Sequence, residues 1–182
     1  MTRSMNNLPG DLSTRRRTER MIRVDHAGEY GAARIYAGQL AVLGNGTKGD
    51  LLRHMQAQEQ QHLDTFNRLI VERRVRPTAL LPFWHLAGYA LGAITAAMGE
   101  KAAMACTVAV EEAIDEHYSR QIAESDETAP ELRETLEQFR QEELEHRDIG
   151  LQNGAEQAPG YRVLTRLIKS GCKAAIAASE RI

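Results

Sequence analysis

Four segments of the chain carry apolar stripes at helical spacing, and a glutamate interrupts every one of them. Residues recurring at steps of three and four lie on one face of a helix. The second segment reads Leu52, Met55, Glu59, His62, Phe66, Leu69, and the fourth reads Leu132, Leu136, Phe139, Glu143, His146, Gly150. In both, a Glu and a His three residues apart stand where apolar residues belong. The first runs Ile22, His26, Glu29, Ala33, Tyr36, Leu40, and the third Met104, Val108, Glu111, Tyr118, Ile122. Glu111 aligns with that third stripe, whereas Glu112 looks to one side. A fold that buries the stripes therefore buries four carboxylates. An isolated buried ion costs several kcal/mol even after relaxation, and inward Arg or Lys to offset them are too few. Two divalent cations balance four carboxylates in charge, and the two imidazoles add neutral nitrogen ligands. One nitrogen per metal in an oxygen-rich set suits iron or manganese better than structural zinc, which prefers Cys and His.

The rest of the chain supplies a helical frame. Breaks at Leu43–Asp50 (LGNGTKGD), Arg76-Pro77, Ser125–Pro130 and Asn153–Gly160 leave five predicted helices: Thr18–Leu43, Asp50–Arg74, Leu86–Glu124, Pro130–Gly150 and Tyr161–Ser179. No segment alternates with period two, and aromatics make up only 5% of the residues, which disfavours a β-sandwich. The expected fold is all-α, a four-helix bundle with an additional C-terminal amphipathic helix. At 182 residues it reads as a single domain over 18–182. Residues 1–17 read as a flexible basic tail without the apolar centre of a secretory signal. A net charge of −2 excludes a general nucleic-acid binder. The two cysteines, Cys106 and Cys172, form no disulfide framework and no zinc-finger pattern, so a reducing compartment is expected.

Four longer strings go beyond periodicity: RVDHAGEYGAARIYAGQLAVL, EQQHL, ACTVAVEEAIDEHY and EELEHRDIGL. With them the chain from Arg20 onward resembles the demethoxyubiquinone hydroxylase family of ubiquinone biosynthesis. The resemblance implies a ferritin-like bundle and a carboxylate-bridged di-iron monooxygenase that uses O2 as co-substrate. Its substrate is a polyprenylated benzoquinol lacking one ring oxygen, which is inserted as a hydroxyl. Glu29, Glu59, His62, Glu111, Glu143 and His146 match the family's iron ligands, with Glu59 and Glu143 as bridges and Glu29 and Glu111 more terminal. His117 and Tyr118 match residues beside the site and are the catalytic candidates. The family also implies a polyprenyl quinone substrate, a membrane surface, a lipid-presenting partner protein and room for an oligomer. It places the protein peripherally on the inner membrane, on the cytoplasmic face in a bacterium or the matrix face in a mitochondrion. Electrons would come from the quinol itself or from NADH, without a Rossmann-type site.

Several features admit two readings. Asp25 and Asp115 fit either orientation of the ligand histidines or ordinary capping. Tyr118 fits core packing or a relay. The small residues Ala27, Gly28, Gly31 and Ala32 fit a pocket or close helix packing. The charge-free run Pro77–Gly99 approaches the length of about 20 apolar residues that a membrane span needs, but its Pro, Trp, His and Gly content reads as interfacial. The C-terminal helix, with Arg162, Arg166, Lys169, Lys173 and Arg181 beside Leu164, Leu167, Ile168 and Ile176, reads as a basic amphipathic element.

Overall fold

The computed structural model describes residues 12–125 and 130–182. Its elements are α1 (Thr14–Leu43), α2 (Gly49–Glu72), α3 (Leu81–Ala97), α4 (Glu100–Ser125), α5 (Pro130–Gln152), a single 3₁₀ turn (Ala155–Gln157) and α6 (Tyr161–Ser179). Helices α1, α2, α4 and α5 form the bundle: α1 packs on α2, and α4 on α5. Helix α3 lies along the outside of α1, and α6 along the outside of α4. The predicted break at Ser125–Pro130 falls largely outside the described residues, as do residues 1–11 of the predicted tail. Residues 14–17 belong to α1, because the Ser13 hydroxyl accepts from the Arg16 amide and caps the helix there.

The predicted third helix, Leu86–Glu124, is two helices. Gly99 adopts φ +112°, outside the range that continues an α-helix. Its carbonyl instead accepts from Ala102 and Ala103 and opens α4. The first of the two begins at Leu81 rather than Leu86, since Pro82 sits in the first turn, where its missing N–H costs nothing. Residues 44–49 spell G-x-G-x-x-G, a match the reading of the sequence missed. The loop joins α1 to α2, whereas the dinucleotide fingerprint needs a strand before it, so the spelling carries no such function here.

Helix α3 approaches α1 backbone to backbone. A Cβ on Gly92 would stand 2.0 Å from the Ile35 carbonyl oxygen, and one on Gly38 would stand 2.1 Å from that of Tyr89. Within the bundle two apolar clusters stack along the axis. Met21, Ile22, Phe66, Leu136 and Phe139 belong to one, and Tyr36, Leu52, Met55, Met104 and Val108 to the other. The glutamates and histidines of the stripes fall between them as one polar layer.

Candidate metal centre

All six predicted ligands meet in that layer. Glu29, Glu59, His62, Glu111, Glu143 and His146 are each at most 1% exposed. Their donor atoms form two groups, Glu29–Glu59–His62–Glu143 and Glu59–Glu111–Glu143–His146, with all atoms of a group within 4.8 Å of one another. Glu59 and Glu143 belong to both. His62 Nδ1 lies 3.1 Å from Glu143 Oε1 and 3.4 Å from Glu29 Oε2. His146 Nδ1 lies 3.0 Å from Glu59 Oε1 and 3.3 Å from Glu143 Oε2.

The residues fit a metal pair, and the orphaned atoms show it. Glu29 Oε2, both Glu59 oxygens, Glu111 Oε2, Glu143 Oε2 and His146 Nδ1 are buried with no hydrogen bond of good geometry. Buried polar atoms are rarely left so, and six in one layer define the inner surface of a cation site. Protons stand in for the cations in the protein alone. Burial, reinforced by the charge on Glu143, pushes the Glu59 and Glu111 carboxyls well above the usual range, and burial raises Glu29 as well. Burial acts on Glu143 too, but the nearby His146 and His62 imidazoles hold it down at about 2. Burial alone would lower His62, yet its closeness to Glu143 and Glu29 pushes it up to about 12.

An outer ring of partners fixes the ligands. His62 Nε2 donates to Glu142 Oε2 at 2.6 Å, and His146 Nε2 to Gln58 Oε1 at 3.0 Å. Each histidine is thus braced by the residue just before the glutamate of the facing helix, with its Nδ1 left inward. Phe139 stacks on the His62 ring at 4.0 Å. Tyr118 Oη donates to Glu29 Oε1, and Tyr36 Oη donates to Glu111 Oε1 at 2.8 Å. Reading the sequence missed Gln58, Glu142 and the role of Tyr36. The available signal was repetition: Tyr follows Glu by seven positions in both α1 and α4.

The aspartates take other roles. Asp115 pairs with Arg140 at 2.6 Å, away from the metal layer. Asp25 meets His117 rather than a ligand histidine, at 3.1 Å. His26 bonds Asn67, and His85 bonds Tyr30. The small residues of α1 border a cavity of about 490 Å³, open on one side, between α1, α3, α4 and α6. Glu29, Tyr118, His117 and Asp25 form its polar wall; Trp84 and Ser179 stand where α3 meets α6. Both readings of those small residues hold, since Gly88 of α3 also packs against Gly31.

A helical bundle that buries a paired set of carboxylates and imidazoles beside an apolar cavity belongs to the class of two-metal carboxylate proteins. Residues 16–179 match the family described as Ubiquinone biosynthesis protein COQ7, and the chain belongs to that family. It is 57% identical over 176 residues to the 3-demethoxyubiquinol 3-hydroxylase of Rhodospirillum rubrum, covering 96% of this chain and 83% of the relative. It is 54% identical over 176 residues to the NADPH-dependent 3-demethoxyubiquinone 3-hydroxylase, mitochondrial, of Homo sapiens, covering 94% and 81%. With the 5-demethoxyubiquinone hydroxylase, mitochondrial, of Saccharomyces cerevisiae it shares 41% over 181 residues, covering 90% and 78%.

Proposed function

We propose that this chain hydroxylates the ring of a polyprenylated demethoxy-benzoquinol with O2, as a step of ubiquinone biosynthesis. The observation that carries the reading is the pair of buried donor groups sharing Glu59 and Glu143 at the end of an apolar cavity. Glu29 and His62 would hold one iron, Glu111 and His146 the other, and Glu59 and Glu143 would bridge them. Bound there, the metal pair supplies the reduction of O2 and the transfer of one of its oxygen atoms to the ring.

The protein's own residues do the rest. Glu142 and Gln58 hold the imidazole rings in one tautomer, and Tyr118 and Tyr36 hold the terminal glutamates by one oxygen each. The apolar lining of the cavity would present the ring beside Glu29. Tyr118 and His117 stand at that wall and are the catalytic candidates. The reductant is the quinol itself or a reduced nicotinamide; relatives named as NADPH-dependent support the second source.

The polyprenyl tail needs a lipid phase. Phe83, Leu86, Ile94 and Met98 around α3, with Val163 of α6, leave apolar surface outside the cavity, and Leu167 of α6 is exposed at its edge. No helix among the described residues is long and apolar enough to cross a membrane. Peripheral attachment to an inner membrane through α3 and α6 suits this surface, as does a lipid-presenting partner or a second copy. The test is anaerobic titration of metal-free protein with ferrous iron, followed by an assay with a short-chain demethoxy-benzoquinol. Two irons per chain and a hydroxylated ring are expected. Folded protein with no stoichiometric iron would overturn the reading.

A further inference from the structure

His117 has two ring nitrogens, and only one is spoken for. Nε2 lies 3.1 Å from Asp25 Oδ1, in a pair only 2% and 5% exposed. Gln121, itself buried, faces the same carboxylate. The hydrogen bond His117 makes among the described residues is through Nε2, and the ring borders the cavity. An ionised carboxylate only accepts, so the proton it receives must sit on Nε2. A neutral ring in that tautomer offers Nδ1 as a lone-pair acceptor.

Other polar groups of that wall have partners of their own, although Asp25 Oδ2 is buried without one and the Ser179 hydroxyl keeps its proton to donate. The Tyr118 hydroxyl donates to Glu29. Glu29 belongs to the metal layer. At the far end the Ser179 hydroxyl accepts from Trp84 Nε1 at 3.1 Å. We infer that Asp25 is a positioning residue: it fixes His117 as an acceptor at the cavity wall for a ring hydroxyl, so the site selects the hydroquinone over the quinone. The inference rests on the reading of the cavity as the site of a benzoquinol. A hydroquinone brings hydroxyl donors to Nδ1, whereas the quinone brings only carbonyl acceptors, which meet a lone pair there. A neutral histidine without Asp25 interchanges its tautomers and accommodates either form.

Trp84, the one tryptophan of the chain, borders the cavity and reports its filling. The experiment measures quenching of its fluorescence in the iron-loaded protein, without oxygen, by a short-chain demethoxy-benzoquinol and by its quinone. One hydrogen bond gained or left unmade sets the scale, so the quinol should bind about three- to tenfold tighter. Asp25→Asn should bring the ratio close to one while the iron content stays that of the unsubstituted protein. His117→Phe, which has no acceptor, should do the same and serves if Asp25→Asn fails to fold. A structural role for Asp25 would weaken both ligands together and leave the ratio intact, which overturns the inference. Equal binding of quinol and quinone by the unsubstituted protein also overturns it, but leaves the hydroxylase reading standing. No quenching by either ligand sinks the cavity assignment itself.

Discussion

The two halves of the metal layer are built to one plan and differ in what lies behind them. Glu29 with Tyr118, and Glu111 with Tyr36, are the same pair exchanged between α1 and α4. Glu59–His62 and Glu143–His146 repeat between α2 and α5. Behind Glu29 lies the cavity, with Asp25 and His117 in its wall. Behind Glu111 the space is filled: Tyr36 Oη also touches Met55 Sδ at 3.8 Å, and Gln39 spans to the Ala103 carbonyl at 3.1 Å. Four residues before its glutamate the open half has Asp25, while the closed half has Thr107. The bracing differs as well, since a carboxylate backs His62 and an amide backs His146. On the proposed reading metal holding is shared by both halves, whereas substrate access belongs to one.

The strongest way to break this division is to remove shared and unshared ligands in turn. Glu143→Ala should abolish stoichiometric iron, because it serves both groups, whereas Glu29→Ala or Glu111→Ala should each retain about one iron per chain. Iron analysis of folded protein decides it; equal loss in all three variants would dissolve the distinction. Next, Gly28→Leu adds volume where nothing stands within 4 Å, so it should fill the cavity, block hydroxylation and leave two irons bound.

The bracing residues sharpen the comparison further. Loss of such a partner typically costs about 10–100-fold in metal affinity. Glu142→Ala should fall at the upper end and Gln58→Ala at the lower, since a charged acceptor binds more strongly; competition with a chelator measures both. On the closed half, Gly150→Ala would place a Cβ 2.7 Å from Val108 Cγ2. That overpacking should cost about 1–3 kcal/mol in denaturant unfolding.

The smallest effect expected is on pH. Glu29, Glu59 and Glu111 have carboxyls raised above 4.5 by burial. Stability linked to a raised carboxyl is present below its unfolded value and is lost as pH climbs through the folded one. Glu143, held down at about 2, acts below this window, while His62, raised from 6.5 to about 12, adds a loss of the same sign from about pH 6.5 upward. Metal-free protein should therefore lose stability as pH rises from about 5 to 8, while loaded protein should not, because the metal has displaced those protons. The gap in Tm between the two forms should widen with pH; a constant gap would contradict the assignment.

What could be read before the fold was known divides along the same line. The six ligands stood out because each sits in an apolar stripe of its own helix, and period alone exposes it. The α3–α4 break did not, because it depends on the backbone angle of Gly99, which an alanine-rich surrounding hides. The supporting contacts did not either: Glu142 to His62, Tyr36 to Glu111 and Asp25 to His117 join residues 75 to 92 positions apart. No local pattern marks such pairs, although the repeated spacing from Glu to Tyr hinted at one of them. Asp115 stayed open between two readings for the converse reason, since its place one turn after Glu111 resembled that of a helper while its partner, Arg140, lies on another helix.

The measurement that bears most directly on the central claim is a turnover of the iron-loaded protein with a short-chain demethoxy-benzoquinol under ¹⁸O-labelled O2. The account predicts a ring hydroxyl that carries the label, formed by the unsubstituted protein and not by Glu143→Ala. Unlabelled product, or equal product from Glu143→Ala, would contradict it.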